Sequence, residues 1–599
     1  MRKRWKSLLA ALLCLLLLSG CAGPAERSYQ ISELLVGLFG PEQGEQAQAQ
    51  TQNGGEDGEM VPFDRIVYTR PEAQMESLRA KIDELDQVLE GGATLSQVTA
   101  ILDECFVLFN SYDTMYSVAE IRACQDMTDA FYEEEYGWCL DHYYEMQAMM
   151  DELYYLCGGS KLAGQLEREY FWEGFAEEYA DSSESSYSDE LAELYHRESA
   201  LLSEYRSLIA SPTITVDGQE VDLYSYVDAA SGEASFDGWM EYYRSYNERL
   251  GRVYIELVKV RTAQARALGF DSFEELSYRF NYERDYTPAQ AREYLEGIKT
   301  WLVPLYKEML EEGLIDEAGT RVMLEDELEE VLRTVADNMG GDVQEAFGFL
   351  SEYGLYDVRY SERKMGKSFQ SYLTDYEAPF VFLDPILQLS DVASFAHEFG
   401  HALDAYVNYN AYESMDLAEC FSQAMELLAP GYADGALNAR EQADLYRYKA
   451  MDNLEMYVQQ GSFAEFEELV YGVDPEELTV EMINGFSLQT AKDYGYYEPG
   501  YEDYYALSWI DITHFFETPF YIISYPVSND VAMQIYELER ETPGSGLDKY
   551  LEMLPRNAEG LLETVLAGGL ESPFAPGRLE KVAEDLREQL EEDSFAAAA

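Results

Sequence analysis

The chain is predicted to be mainly α-helical with a small β-sheet, on three observations. Apolar residues recur every three to four positions over long stretches, glycine and proline are modest (42 and 18 in 599 residues), and only two short stretches have strand character. Helical periodicity covers 75–89, 95–110, 123–153 and 190–210, and Gly158-Gly159 breaks one helix from the next. Ile214, Val216, Val221 and Leu223 alternate about Asp217-Gly218, which predicts a hairpin near 213–223. Helices resume over 239–268 and from Pro288, a residue suited to a helix start, to Glu312. The stretch 353–384 is different: Gly366 to Tyr372, then Pro379 to Asp384, predicts short strands. No internal repeat and no glycine-rich phosphate loop is present.

At 599 residues the chain exceeds what one core normally organises, so one large two-lobed body or two to three domains is expected. A hydrophobic content of 47% excludes a mainly disordered chain, and a mean hydropathy of -0.32 excludes a polytopic membrane protein. The formal charge of -74 repels phosphate backbones and anionic headgroups, which excludes nucleic acid as a partner. Its 49 tyrosines suit a packed helical protein with many amphipathic aromatic positions.

The N-terminus reads as an export signal. Arg2, Lys3, Arg4 and Lys6 precede an apolar run, Leu8 to Leu18, that is short for a membrane span. Leu18-Ser19-Gly20-Cys21 resembles a bacterial lipobox. The resemblance implies a lipoprotein signal peptide over 1–20 and acylation of Cys21. The exported bacterial chain would then be tethered to the outer face of the cytoplasmic membrane, its only membrane contact. Residues 21–62 read as a flexible tether, since 42–60 is rich in Gln, Gly and Glu without apolar periodicity. Cys105, Cys124, Cys139 and Cys157 have spacings unlike a zinc knuckle; one or two disulfides and buried free thiols both remain open.

The chemistry centres on His397, Glu398 and His401. Histidines at i and i+4 project from one helix face, so both imidazoles reach one metal ion, and the glutamate between them can take a proton from an activated water. With only five histidines in the chain, this spacing is hard to reach by accident. Catalytic zinc takes three protein ligands, so a partner is needed, from a histidine, an aspartate or a glutamate. Asp404 stands three residues past His401 and the next histidine is His514. Asp416 to Glu426 is a good helix candidate with Glu419 in its first turn. His142 and His196 lie outside any motif and read as structural or exposed.

Ala396 to Ala402, followed by Glu419, Ser422 and Glu426 in an E-x-x-S-x-x-x-E pattern, resembles the thimet oligopeptidase and oligoendopeptidase F family of zinc peptidases. Ala265 to Phe270, Arg284 to Thr287 and the strand before the metal helix also resemble family sequence. The likeness runs from about 250 to 535 and is weak in the first 200 residues. It implies that Glu419 is the third ligand and that Glu426 orients a histidine from behind. His514, Tyr521 and Tyr525 match a C-terminal segment whose side chains hydrogen-bond the substrate carbonyl and the developing oxyanion. Two departures stand out: the family often has histidine at Asp404, and the connection from His401 to Glu419 looks short, which would trim the channel wall near 406–415.

The sequence therefore implies a mainly α, two-lobed helical metallopeptidase with a deep channel and a small sheet beside the zinc-binding helix. Its expected divisions are the signal peptide 1–20, the tether 21–62, an N-terminal helical lobe 63–250, a catalytic region 251–580 and a tail 581–599. One Zn²⁺ per chain would be held by His397, His401 and Glu419, with Glu398 as general base and Tyr525, His514 and Tyr521 at the oxyanion. The expected substrates are short unstructured peptides, taken by a monomer and pairing with the strand near Phe380. The alternatives are a lipid-anchored peptide-binding protein without turnover and a zinc carboxypeptidase of related fold.

Overall fold

A computed structural model describes residues 60–172, 174–179, 189–209, 212–216, 218–223, 236–312, 318–361, 363–410, 414–556 and 560–598. The signal peptide, Cys21 and almost all of the tether lie outside the described residues. Three helices come first: α1 (Glu72–Gly91), α2 (Leu95–Gln125) and α3 (Ala130–Gly158). Short α4 (Ala163–Glu169) and α5 (Phe175–Glu178) lead to α6 (Asp189–Ile209), and β1 (Thr213–Val216) and β2 (Gln219–Asp222) form the expected antiparallel hairpin. Next come α7 (Phe236–Ala267), α8 (Phe273–Leu276), α9 (Pro288–Glu312), α10 (Glu325–Met339) and α11 (Gly341–Tyr353). A small sheet of β3 (Tyr356–Asp357), β4 (Phe369–Leu373) and β5 (Ala378–Phe382) precedes α12 (Asp391–Asn408) and α13 (Met415–Leu428). The remainder is helical: α14 (Ala439–Tyr471), α15 (Val480–Asp493), α16 (Glu502–Leu507), α17 (Thr513–Glu517), α18 (Ser524–Glu541), α19 (Ser545–Met553), α20 (Leu561–Ala567) and α21 (Arg578–Ala598).

Two hydrophobic cores divide the burial. One joins α1, α2 and α3 through residues such as Leu78, Ile82, Leu102, Tyr112, Met146 and Leu153. The other runs from Phe63 and Ile66 through Met115, Val118 and Ile121, on a different face of α2, to Leu590. Helix α2 thus serves both cores, which is why 111–121 is continuously buried and shows little amphipathic contrast. Cys105, Cys124, Cys139 and Cys157 are all buried free thiols, as is Cys420.

Several expected boundaries move for identifiable reasons. The helix expected over 123–153 is interrupted: α2 continues to Gln125, and a new helix starts where the Asp129 carboxylate accepts from the Phe131 and Tyr132 amides at 3.0 and 3.4 Å. Helix α7 runs unbroken through position 250, where a domain boundary was expected. From 581, where a tail was expected, α21 buries Val582, Leu586 and Leu590 and packs on α9 and α14. The fully buried Arg578–Asp530 pair at 2.7 Å fixes that helix.

The sheet has the order β3-β5-β4, with β3 parallel and β4 antiparallel to β5. Phe380 is on the central strand, opposite Ser371 of β4, so the expected pairing of a peptide with the strand at Phe380 is not available. The outer edge of β4 meets α2, where the Ser117 hydroxyl donates to the Tyr372 carbonyl at 3.0 Å. Helix α12 packs across β4 and β5.

Asp357 locks β3 in place. It accepts from Gln125 Nε2 at 2.7 Å and from Arg359 Nε at 3.0 Å, and lies 3.0 Å from the Lys364 ammonium. Burial alone would raise this carboxyl, but Arg359 and Lys364 hold it down to about 2. Its folded value lies below the unfolded value of about 3.9, so its stabilisation is present above pH ~4 and is lost as pH falls towards 2. Asp357→Asn should therefore melt below wild type at neutral pH, with the gap closing in that acid window when melting is followed by circular dichroism. A gap that did not depend on pH would contradict this account.

Candidate metal centre and active site

Helix α12 presents the two histidines because its other face is anchored. Val392, Phe395, Ala396, Phe399, Ala402 and Leu403 are buried, at helical spacing. The Asp391 carboxylate accepts from the Ile386 and Gln388 amides at 3.1 and 2.9 Å and fixes the helix start. Tyr409 ends the helix in the left-handed region at φ 55°.

Every residue of α13 is buried, and this helix lies directly against α12. The approach depends on Gly400: a Cβ there would stand 2.6 Å from Ser422 Cα and 3.0 Å from the Phe421 carbonyl. Helix α13 can therefore bring Glu419 to the histidine pair. His397, His401 and Glu419 each offer one ligand atom, all within 4.8 Å of one another. They form the one such cluster of His, Cys, Asp or Glu among the described residues.

These three groups fit a divalent cation. The two Nε2 atoms face each other at 3.2 Å, and Glu419 Oε2 lies 3.6 Å from His397 Nε2. His397 Nδ1 donates to Glu426 Oε1 at 2.6 Å, which leaves the Nε2 lone pair directed into the cluster. Burial holds His401 well below the usual imidazole range, and a proton on His397 would lower it further, which favours the neutral imidazole that can ligate. A mixed nitrogen and oxygen donor set of three, with room for a fourth position, suits catalytic zinc.

Glu426 is itself held by Lys449 of α14, whose ammonium also contacts Asp452 at 2.7 Å. Burial would raise the Glu426 carboxyl, but Lys449 and His397 bring it below its ordinary value. Lys449 carries no motif in the sequence. The signal that could have found it is a helical face, with Asn453, Met456 and Gln460, whose polar members are buried. Glu398 is buried beside the ligands; burial pushes it up to about 8, with His397 opposing and the Glu419 and Glu426 charges adding. Asp404 is buried and accepts from Asn408 Nδ2 at 2.7 Å.

The C-terminal segment joins the site on the side of Glu419. Phe520 adopts φ 67°, rare for a bulky residue, while its amide donates to Glu467 Oε1 at 2.9 Å. That turn sets Tyr521, whose hydroxyl donates to Glu419 Oε1 at 2.6 Å. Tyr521 was expected at the oxyanion, but its hydroxyl is committed to the carboxylate of the donor cluster. Tyr525, in the first turn of α18, packs on Tyr521 with ring centroids 5.3 Å apart. Its hydroxyl is 3.2 Å from His514 Nε2. Burial lowers His514 to about 4, so it is neutral at physiological pH. His142 bonds the Trp138 carbonyl at 2.8 Å and His196 is exposed; neither joins the cluster.

Two family models match the chain: the peptidase M3 N-terminal domain over residues 63–181, and peptidase family M3 over residues 341–558. The second spans the donor cluster, Glu398 and Tyr525. No curated protein matches. Among solved structures, PZ peptidase A with inhibitor 2 is 22% identical, covering 88% of this chain and 99% of its own, with a TM-score of 0.74. A structure assigned as an oligoendopeptidase F is 24% identical, covers 89% and 99%, and has a TM-score of 0.73. Another so assigned, from Bacillus anthracis strain Ames, is 23% identical, covers 89% and 99%, and has a TM-score of 0.70. At these identities the three establish a shared fold.

The contact at Gly400 gives a direct test. Gly400→Ala should force α13 outward, displace Glu419 and weaken zinc binding by about 10- to 100-fold, as disturbed ligand support does elsewhere. Chelator competition on the folded variant measures this. Zinc affinity equal to wild type would mean that the close approach does not set the ligand geometry.

Proposed function

The chain belongs to peptidase family M3 and is a zinc-dependent endopeptidase, and from that premise we propose that it hydrolyses short, unstructured peptides with the residues assembled around His397 and His401. The single observation that carries the site assignment is the convergence of His397, His401 and Glu419 beside a buried Glu398. A zinc ion held by those three would act as a Lewis acid towards the scissile carbonyl and lower the pKa of the attacking water.

Glu398 takes the proton from that water as its oxygen bonds to the carbonyl carbon. It then delivers the proton to the amine nitrogen as the C–N bond breaks. Glu426 and Lys449 keep His397 in the tautomer with Nε2 unprotonated, and Tyr521 restrains Glu419. Tyr525 donates its phenolic proton to the oxyanion. In the tautomer that carries its proton on Nε2, neutral His514 would donate to the Tyr525 oxygen and turn the phenolic proton towards substrate.

Two lobes enclosing a deep channel would admit extended peptides and exclude folded proteins. The lobes would meet within α7, which runs through the expected boundary at 250, and the second would take in α21 beyond 580, with 21–62 as a tether. The basic start, the short apolar run and Leu18-Ser19-Gly20-Cys21 support the reading of an exported bacterial chain that would be held at the outer face of the cytoplasmic membrane through acylated Cys21, acting as a monomer. Among the described residues no helix is long and apolar enough to cross a membrane.

The test is metal analysis together with cleavage of an internally quenched peptide by wild type and Glu398→Gln. The variant should retain one zinc per chain and lose at least about 100-fold in kcat, the scale of general acid–base contributions. Blocking the peptide's C-terminus should leave wild-type cleavage unchanged. Equal turnover by Glu398→Gln would remove that residue from the mechanism, and dependence on a free carboxylate would turn the assignment towards a carboxypeptidase.

A further inference from the structure

Arg284 is buried where two active-site elements meet. The chain leaves α8 through a π-helical turn, Ser277–Asn281, and Glu283 then takes φ 39°, in the left-handed region that side chains rarely adopt. This path carries the Arg284 side chain to 0% exposure. Its guanidinium lies over the rings of Tyr278, Tyr282 and Tyr286 at 4.5, 4.6 and 5.6 Å. Nε is 3.4 Å from Asp416 Oδ2, and Nη2 donates to Ser524 Oγ at 2.8 Å and to the Tyr521 carbonyl at 3.4 Å. Asp416 stands one turn before Glu419 in α13, and Ser524 directly precedes Tyr525 in α18. The same junction is tied by the Tyr286 hydroxyl to Asp416 Oδ1 at 3.3 Å, and by the Ser528 hydroxyl to the Asp416 carbonyl at 2.6 Å.

We infer that Arg284 is a positioning residue for hydrolysis, setting the distance between the turn that presents Glu419 and the turn that presents Tyr525. This rests on the roles proposed above for those two residues. A planar guanidinium holds several partners at fixed angles, whereas an ammonium is a point charge on a flexible stem, so lysine cannot reproduce the clamp. The three tyrosine rings restrict the guanidinium plane, and the polar contacts of its side chain land on 416, 521 and 524. A displacement of about 1 Å between reacting groups is enough to cost about 100-fold in rate.

A double-mutant cycle tests the inference. Arg284→Lys, Tyr525→Phe and the double variant are compared at full zinc occupancy and well below their melting temperatures. Arg284→Lys should retain one zinc per chain, keep KM within about threefold and lose about 100-fold in kcat. The double variant should fall no more than about threefold below Tyr525→Phe, because no phenol remains to be positioned. Ser524→Ala, which removes one anchor, carries the same cycle with a smaller loss if Arg284→Lys does not fold. Losses that multiply, or a loss in Arg284→Lys that tracks missing zinc, would overturn the role of Arg284 while leaving Tyr525 in place. Full activity in Tyr525→Phe would overturn both assignments.

Discussion

Two imidazoles and a carboxylate converge with no lysine or arginine among them, and the surrounding structure is arranged around that convergence. Two imidazole nitrogens lie 3.2 Å apart, and a buried carboxylate faces them. His397 and Glu419 are buried and His401 is partly so, and none offers the others a full set of hydrogen bonds. A divalent cation satisfies all three at once, so its binding free energy stabilises the local fold as well as supplying chemistry. Gly400 permits the helix approach that brings the carboxylate within reach, and the fully buried α13 fixes its direction.

Around the donors lies a polar shell whose members are themselves held. His397 is backed by Glu426, Glu426 by Lys449, and Lys449 also by Asp452. On the other side Glu419 is restrained by Tyr521 and by the Ser422 hydroxyl at 3.2 Å. Such relays limit the positions the first ligands can take, and they put the polar atoms of a dry interior to use. Near the donors, Lys449 answers two acidic groups, Glu426 and Asp452. Solubility and repulsion of anionic surfaces are the physical consequences of the -74.

Much of this was readable in the sequence because it rests on local periodicity. The i, i+4 histidines need only a helix to meet, whereas spacing left the third ligand open and only the family resemblance of the E-x-x-S-x-x-x-E pattern pointed to Glu419 and Glu426. The hairpin at 213–222 followed from one turn residue and alternation. What was not readable depends on contacts far apart in the chain. Lys449 reaches Glu426 from a separate 33-residue helix, and Tyr521 is turned to Glu419 by the strained backbone of Phe520. The position of β5 between β3 and β4 is a matter of topology, so the residues at Phe380 could not reveal that both its edges are filled. The last helix escaped notice because its polar residues dominate while Val582, Leu586 and Leu590 bury a narrow stripe.

The account stands on the identity of the atoms around the metal, and zinc-edge X-ray absorption of the loaded protein reads them directly. It predicts a shell of two imidazole nitrogens and one carboxylate oxygen at about 2.0–2.2 Å, completed by solvent oxygen. A sulfur scatterer at about 2.3 Å, as neighbouring Cys420 would supply, or a shell without imidazole, would contradict it.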